Sequence, residues 1–413
     1  MELFDYQKQI VNKAVNYLQS SDGIHDNKFN LFLQMGLGKT LIALEIAKRI
    51  GSNTILIVCP KSLIEMWAYN IGKVLPNHSR IDCPEYLFEA VYPSYCVTNY
   101  EQVRNGDESI IVDLCIFDEV HKIKNVHTKS HCLISRKVHA HHVLNLTGTP
   151  ITRDYMDLFG ILTCTGEQRF QQYNAAQFKA RYITNGGLKR TQELMNKIEP
   201  FSVFGDITQY IDMPMTDDVI IPVRLTLEQY AELHVIYNSK DNALARITKA
   251  QQVTSGIHSK YLSPKQALCI QLVRDIVTDN EKVVLFCKYD DEYDFFVNFF
   301  GDTCVGINGK TKDRETPVYE FQNNPVIKVF VGNLQTAGTG ITLTAAHKCI
   351  FYSETYTWGD SEQSKARIYR IGQKNDCIYY HLLAVNTVDE LIYKSNLNKT
   401  DLIEEFKKQY GGN

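Results

Sequence analysis

Residues 33–40, Leu-Gln-Met-Gly-Leu-Gly-Lys-Thr, restrict the fold of this chain more than any other stretch. An apolar run, Phe29–Leu33, precedes them, and a helical pattern, Leu41–Ile50, follows, which predicts a strand, a glycine loop and a helix. Such a loop turns backbone N–H groups toward anionic oxygens, and the helix N-terminus adds positive potential. The strict pattern has a further glycine where this chain has Leu33, so a tight structural turn that opens a helix remains an alternative.

The glycine loop predicts a phosphate-binding site with distinct roles for its residues. The backbone of Met35, Gly36, Leu37 and Gly38 would surround the phosphates, Lys39 would supply a cation, and the Thr40 hydroxyl would ligate Mg²⁺.

A second apolar run, Ile110–Phe117, ends in the acidic pair Asp118-Glu119. In a doubly wound sheet, ligands bind at the carboxyl ends of the strands, so this pair is expected at the binding crevice. Asp118 would hold Mg²⁺ through its water shell, and Glu119 would orient and deprotonate an attacking water. Two acids that merely cap a strand are the alternative.

Composition excludes several classes of protein. The 413 residues carry a formal net charge of -3, with 44% hydrophobic and 22% charged residues, which is typical of a globular chain of two or three domains. A nucleic-acid partner would therefore require a local basic cleft. The 11 cysteines form no Cys-x-x-Cys pair, which favours a reducing compartment and no cysteine-ligated zinc. We expect an intracellular protein with no membrane segment, and His139, His141 and His142 at a polar strand end without a metal.

Strand-like and helix-like runs alternate along most of the chain, which predicts an α/β fold with parallel sheets covered on both faces. Ile151 to Ser263 carries few local indications, Met213-Pro214 and Ile221-Pro222 are the best breakpoints, and we place the lobe boundary near Met213. A second alternating block begins at Ser263. The predicted organisation is an ATP-binding first lobe (1–212), a linker with a short helical insertion (213–263), a second lobe (264–385) and C-terminal brace helices (386–413).

Several motifs in this order resemble one family. They are Gln7, the glycine loop, Val58-Cys59-Pro60 with Trp67, Asp-Glu-Val-His-Lys-Ile-Lys-Asn at 118–125, Leu-Thr-Gly-Thr-Pro at 146–150, and Gln-x-x-x-Arg-x-x-Arg-Ile-Gly-Gln at 363–373. Together they resemble the SWI/SNF-type ATPases of helicase superfamily two. The resemblance implies two RecA-like lobes, one Mg²⁺-ATP, and movement along double-stranded DNA.

The resemblance also assigns roles outside the glycine loop. Gln7 would read the adenine edge, although a solvated glutamine at a helix start is the simpler local interpretation. Gly340 and Gln363 would line the nucleotide site, and Gly340 lies in a glycine-rich run that could equally be a flexible turn. Arg367 and Arg370, three residues apart on one helix face, would neutralise charge on the transferred phosphate from the second lobe.

DNA contacts are the other expectation from the resemblance. Trp358 is expected either to wedge into DNA or to pack at the lobe edge. The basic and polar residues expected along the DNA backbone are Lys61, Ser62, Lys122, Lys124, Lys288, Lys310, Arg314 and Thr336.

The spacing from Trp358 to Arg367 is shorter than in remodelling members of the family. In this respect the chain resembles a compact branch that includes DNA-annealing motors and phage proteins. Residues 201–210 contain no basic residue, whereas remodelling members usually carry a basic patch there, which argues against a large attachment. We expect a monomer, with a separate targeting protein as a possible partner. A strand-separating or annealing DNA or RNA helicase, and an ATP-gated DNA clamp, remain alternatives.

Overall fold

A computed structural model describes residues 3–20, 27–90, 93–126, 128–151, 155–164, 173–184, 187–257, 259, 261–334 and 341–398. The chain forms two compact units, Met1–Asp212 and Met213–Asn413, and each contains one large sheet of parallel strands. Within the described residues, no helix has the length and apolar character needed to cross a membrane. The predicted α/β class with two parallel sheets is confirmed.

The first unit contains a seven-stranded sheet in the order β3-β4-β2-β5-β6-β1-β9. Its central strands are buried along almost their whole length, because helices cover both faces. Strand β6 lies between β1 and β5, so its carboxyl end stands between the glycine loop and the acidic pair. The strands are β1 Lys28–Leu33, β2 Thr54–Cys59, β3 Ser79–Arg80, β4 Ser94–Asn99, β5 Ile110–Asp118, β6 Val138–Thr147 and β9 Ser202–Gly205, with a separate hairpin of β7 Ile183–Thr184 and β8 Gly187–Leu188.

The helices of the first unit alternate with its strands along the chain. The predicted helix after the glycine loop is confirmed, and it ends at Gly51, whose left-handed backbone (φ 72°) caps it. Strand β6 begins at Val138, so His139, His141 and His142, which were expected at a strand end, lie in its first half. The described helices are α1 Asp5–Leu18, α2 Lys39–Ile50, α3 Ile64–Val74, α4 Tyr100–Asn105, α5 Lys129–Lys137, α6 Met156–Thr163, α7 Ala175–Tyr182 and α8 Thr191–Ile198.

The second unit contains a six-stranded parallel sheet in the order β10-β15-β14-β11-β13-β12. Strand β10, at its edge, falls in the segment predicted to be a linker, and it pairs with β15 along its whole length. The strands are β10 Thr216–Val223, β11 Val283–Cys287, β12 Cys304–Ile307, β13 Val329–Asn333, β14 Lys348–Phe351 and β15 Cys377–Ala384. The described helices are α9 Leu227–Tyr237, α10 Ala243–Ser255, α11 Pro264–Thr278, α12 Asp290–Phe300, α13 Glu315–Asn323, α14 Trp358–Lys365 and α15 Val388–Asn398.

Helix α15 is held to the second unit by a buried ion pair. The Lys265 ammonium group lies 2.5 Å from Asp389, and the two side chains are 0% and 2% exposed. Asp389 also accepts hydrogen bonds from the Thr254 hydroxyl and the Ala384 N–H, so its carboxylate is well satisfied. The remainder of the predicted brace, residues 399–413, lies outside the described residues.

A buried histidine connects β15 to helix α14. His381 is 1% exposed, and its two ring nitrogens lie 2.5 Å from Glu354 and 2.8 Å from Asp218. Asp218 also pairs with Lys365, the last residue of α14, at 2.5 Å, and Tyr393 packs on the imidazole ring. Burial lowers the pKa of His381, but the two carboxylates outweigh that effect and raise it to about 9. The imidazolium is therefore favoured in the folded protein.

We expect the second unit to lose stability as the pH rises toward 9. Because the folded pKa of His381 lies above its ordinary value of 6.5, its contribution is complete below pH 6.5 and disappears through about pH 9. Between pH 7 and pH 9.5 the thermal midpoint should fall by roughly 5 °C more in the parent than in His381→Asn, since 1 kcal/mol moves it by about 2–4 °C. His234→Asn, at an exposed histidine of α9, should retain the parental pH dependence. Equal slopes in the parent and His381→Asn would contradict this assignment.

Candidate functional site

The glycine loop is built from backbone positions that only glycine accepts readily. Gly36 and Gly38 both have positive φ, 91° and 77°. A Cβ at Gly38 would lie 2.4 Å from Nε2 of Gln7, so a side chain here would displace the Gln7 amide or the loop. Helix α2 then begins at Lys39, with its first N–H groups directed toward the loop. Because that arrangement presents donors and leaves little room for side-chain carbon, the loop suits an anionic ligand.

Gln7 packs directly on the loop. Its side chain is 3% exposed, Nε2 donates to the Leu37 carbonyl at 3.1 Å, and Oε1 accepts from the Phe4 N–H at 3.0 Å. The Tyr6 hydroxyl donates to the same Leu37 oxygen at 3.1 Å. The simpler local interpretation of Gln7, a solvated residue at a helix start, is therefore wrong. The reason is tertiary, since helix α1 lies against α2 and brings its first turn to the loop.

The lysine of the loop folds back over it. Lys39 Nζ donates to the Leu33 carbonyl at 2.9 Å, so the ammonium group lies at the end of β1. Thr40 follows in the first turn of α2 and is partly exposed. The loop therefore brings a cation and a neighbouring hydroxyl together beside its N–H groups, as a phosphate and its metal would require.

Asp118 is a buried carboxylate whose two oxygens are both oriented. Oδ2 accepts from the Trp67 indole N–H at 2.8 Å, and Oδ1 accepts from the Glu119 N–H at 3.0 Å. The Tyr100 hydroxyl holds the Asp118 carbonyl at 2.7 Å. Burial first, and then the charge of Glu119, raise the pKa of Asp118 to about 6, while Trp67 and Lys39 oppose that shift. A bound cation would stabilise this anion.

Glu119 departs from the strand because its backbone is left-handed, with φ 53° and ψ 49°. This conformation is uncommon for a non-glycine residue, and it turns the side chain away from the line of β5. One carboxylate oxygen lies 3.5 Å from the Thr147 hydroxyl and 3.2 Å from His121 Nδ1. The His121 ring also lies 2.9 Å from Thr147. The last residue of β6 and the turn after β5 therefore hold Glu119 in place.

The sequence motifs converge on one edge of the first sheet. A Cβ on Gly148, just after β6, would lie 3.3 Å from both the Leu33 carbonyl and the Met35 N–H nitrogen, so the end of β6 touches the loop. The Lys39 charge lowers the pKa of Asp118, which places the cation and the acid near each other. Loop, cation and acids therefore form one site within the first unit. Its donors and close backbone fit a nucleoside triphosphate with a divalent cation.

In the second unit, Arg367 and Arg370 were predicted to lie on one face of a helix, but they do not. Helix α14 ends at Lys365, and Arg367 and Arg370 occupy the turns that follow. Tertiary bonds take the chain out of the helix, since the Leu343 N–H donates to the Arg367 carbonyl and Gln373 Nε2 donates to the Ala346 carbonyl. The placement on a helix face was wrong.

The two guanidinium groups nevertheless converge. Arg367 and Arg370 both donate to the Ile341 carbonyl, at 3.3 and 3.2 Å, and Arg370 also donates to the Thr342 hydroxyl at 2.8 Å. Arg367 Nε bonds the carbonyl of Gln363, which is itself buried in α14. Burial lowers the pKa of Arg370, yet a guanidinium remains charged at neutral pH. The turn therefore presents two preorganised cations in one place.

The residues predicted to contact DNA differ in their exposure and in their partners. Lys61, Ser62 and Lys122 are exposed, whereas the Lys124 ammonium group lies 2.6 Å from Asp157. Trp358 is the first residue of α14 and is partly buried. Thr336 and Gly340 lie outside the described residues.

The basic residues predicted for the second unit also differ in exposure. Lys310 is exposed, and Arg314 is partly exposed. Lys288 donates to Gln251 Oε1 at 2.7 Å and lies over the Tyr356 ring, so its amino group is engaged within its own unit, and burial lowers its pKa to about 6.

Sequence reasoning missed several residues that support the acids. Trp67 served only as a mark of resemblance, yet its indole N–H orients Asp118 across 51 positions of sequence. Thr147 and His121 hold Glu119, and Tyr100 holds the backbone of Asp118. One indication was available in the sequence. Tyr100 directly follows β4 and Thr147 ends β6, and both strands end at this edge of the sheet.

Comparisons with known proteins agree with this arrangement. Residues 1–152 match the family described as type III restriction enzyme, res subunit, residues 90–272 match the SNF2-related domain, and residues 265–372 match the helicase conserved C-terminal domain.

Individual relatives cover most of this chain at low identity. An uncharacterized ATP-dependent helicase of Mycoplasma pneumoniae is 23% identical over 93% of this chain and 41% of the relative. A Caenorhabditis elegans homolog of SWI/SNF-related matrix-associated actin-dependent regulator of chromatin subfamily A-like protein 1 is 25% identical over 97% of this chain and 61% of its own length. The chain thus spans 41% and 61% of these two relatives. A solved SWI2/SNF2 ATPase core of Sulfolobus solfataricus with double-stranded DNA is 22% identical, with a TM-score of 0.48 over 99% of this chain and 97% of that one.

The fold and the site define a protein of two α/β units with parallel sheets, one with a glycine loop and an acidic pair, the other with a paired-arginine turn. The chain carries an SNF2-related domain followed by a helicase conserved C-terminal domain, and its relatives include SWI/SNF-related helicase-like proteins.

Proposed function

We propose that this protein hydrolyses ATP and uses the energy to move along double-stranded DNA. The observation that carries the ATPase half is the convergence of the glycine loop, Lys39, Asp118 and Glu119 on one edge of the first sheet. The DNA half is supported by the match to the SNF2-related domain and by a relative described as a SWI/SNF-related regulator of chromatin.

The residues of the first unit have distinct roles in binding ATP and in its hydrolysis. The loop N–H groups and Lys39 bind the phosphates, and Gln7 contacts the base. Thr40 and Asp118 would hold Mg²⁺, which neutralises charge on the phosphate oxygens when bound. Glu119, held by Thr147 and His121, accepts a proton from the attacking water.

The second unit supplies positive charge. Arg367 and Arg370 stabilise the negative charge that develops on the transferred phosphate, and Gln363 supports their turn. Exposed Lys61 and Lys122 bind the DNA backbone.

Stimulation of ATP hydrolysis by different nucleic acids tests the proposal. We expect duplex DNA to raise the turnover rate more than single-stranded DNA or RNA of equal length. Preference for a single strand or RNA would favour a strand-separating or RNA-directed helicase. Displacement of a third strand from a DNA triplex should then require ATP hydrolysis, whereas binding without displacement would indicate a clamp.

Replacement of Gly38 by alanine should strongly weaken nucleotide binding. The new Cβ would lie 2.4 Å from Gln7 Nε2, so either the loop or the Gln7 amide that holds the Leu37 carbonyl must shift. We expect kcat/KM for ATP to fall about 100-fold, the scale of a displacement near 1 Å at a reacting centre. Gly51→Ala is the matched control, because Gly51 also has positive φ (72°) at an end of α2 but has nothing within 4 Å of its Cβ position. Both variants should lose about 1 kcal/mol of stability, and only Gly38→Ala should lose ATP affinity measured by calorimetric titration. Similar ATP affinities in the two variants would show that the loop does not bind phosphate.

A further inference from the structure

We infer that residues 202–210, which we call the strap, are a positioning element of the nucleotide loop, acting through Tyr210 and Gln34. This inference rests on the proposed function. The strap consists of strand β9, Ser202–Gly205, and the short turn after it, Ile207–Gln209, followed by Tyr210. It contains no basic residue. It lies at an edge of the first sheet and pairs in parallel with β1, the strand that leads into the loop.

The strap holds the start of the loop through its backbone. Leu33 lies opposite Gly205 in the ladder, and the Gln34 N–H donates to the Gly205 carbonyl at 2.9 Å. The Gln34 side chain closes the contact, since its Oε1 accepts from the Ile207 N–H at 2.7 Å. Gln34 is therefore bonded to the strap through both its backbone and its side chain. The loop donors available to a ligand begin after it.

The strap holds the middle of the loop through aromatic rings. Tyr210 stacks on Tyr6 with ring centroids 4.8 Å apart and 23° between the planes. Tyr6 in turn donates its hydroxyl to the Leu37 carbonyl at 3.1 Å. A Cβ at Gly205 would lie 2.8 Å from the Tyr210 ring and 2.9 Å from Leu33, so the three residues are closely packed. The ring of Tyr210 thus supports the group that fixes Leu37.

The orientation of the Leu37 carbonyl matters for ligand binding because a peptide unit is planar and trans. When Tyr6 and Gln7 bind that oxygen, the N–H of Gly38 in the same peptide unit must point the opposite way. That N–H is one of the loop groups expected to face the phosphates. The strap therefore sets the direction of a ligand-facing donor without contacting the ligand, which makes Tyr210 and Gln34 positioning residues.

The Tyr210 variants separate positioning from general stability. We expect Tyr210→Ala to weaken ATP binding and raise KM about 2- to 10-fold, the range of a stacked aromatic pair, with a smaller change in kcat. Tyr210→Phe keeps the ring and should restore both values. Thermal unfolding of each variant in the full chain shows whether the unit remains folded. A parental ATP affinity in folded Tyr210→Ala would overturn the inference, and so would equal losses in Tyr210→Ala and Tyr210→Phe.

Gln34→Met tests the second contact independently, because methionine has a similar length but cannot accept from the Ile207 N–H in the same way. We expect a rise in KM for ATP, with the unfolding midpoint lowered by a few degrees at most. Gln192→Met, at an exposed glutamine of α8, is the control and should leave KM unchanged. Equal KM values for Gln34→Met and the parent would overturn the role of Gln34. Absence of ATP binding in the parent would refute the proposed function together with this inference, whereas parental binding that is insensitive to both variants would refute the strap alone.

Discussion

Glu119→Gln is expected to bind ATP with parental affinity and to lose about 10²- to 10⁴-fold of its turnover rate, the contribution of a positioned general base. Glutamine has nearly the same shape, so the contacts with Thr147 and His121 can be replaced, but an amide cannot take a proton from water. The strained backbone of Glu119, with φ 53°, carries a similar free-energy cost for glutamine, so the fold should not change. Calorimetric titration of ATP and steady-state phosphate release together measure the two effects.

The control for Glu119→Gln is Asp113→Asn on the same strand. Asp113 accepts from the N–H groups of Asn53 and Thr54 at 2.8 and 2.9 Å, near the opposite end of β5 from Glu119. The same acid-to-amide change there should lower stability slightly and leave turnover intact. Normal hydrolysis by Glu119→Gln would remove Glu119 from the role of base.

Arg370→Ala is expected to lower kcat for ATP about 10³-fold, at the lower end of the effect of an arginine that stabilises a transferring phosphate. The dissociation constant for ATP should change little, because Arg370 belongs to the second unit and the glycine loop to the first. Arg370 also donates to the Ile341 carbonyl and the Thr342 hydroxyl, so thermal unfolding must be measured in parallel. A single-turnover experiment with bound ATP isolates the chemical step.

Two further variants serve as controls for Arg370→Ala. Arg370→Lys keeps one charge but lacks the planar fork, so it should recover only part of the rate. Arg224→Ala removes an exposed arginine from the same unit and should retain the parental rate. Hydrolysis by Arg370→Ala at the parental rate would contradict the assignment of this arginine to the phosphate.

Local chemistry made much of the first unit predictable. The strand, glycine loop and helix around residues 33–40 follow from positive-φ requirements and helix-start geometry, which depend on a few consecutive residues. A similar local rule acts in the second unit, where the Thr226 hydroxyl oxygen accepts from the Gln229 N–H and caps the start of α9. Asp118-Glu119 were predicted at a strand end, and β5 ends there.

The prediction for the arginine motif failed for a physical reason. A spacing of three residues fits a helix face, and nothing between Lys365 and Ile371 breaks a helix strongly. Contacts with residues 341–346 end the helix instead, and those residues are distant from the motif in sequence. The arginines still converge, because both donate to the same carbonyl.

The sequence alone determined the two parallel α/β sheets, the loop that offers backbone donors, and the acids at the end of β5, since these depend on hydrophobic patterns and on backbone rules that act over a few residues. Only the tertiary structure decided how those groups are oriented: Trp67 on Asp118, Tyr210 on Tyr6, and Asp389 on Lys265. Each of these pairs joins residues far apart in the chain, so the contact depends on how whole strands and helices pack. No local pattern encodes such a contact, because its free energy arises only after distant segments have been brought together.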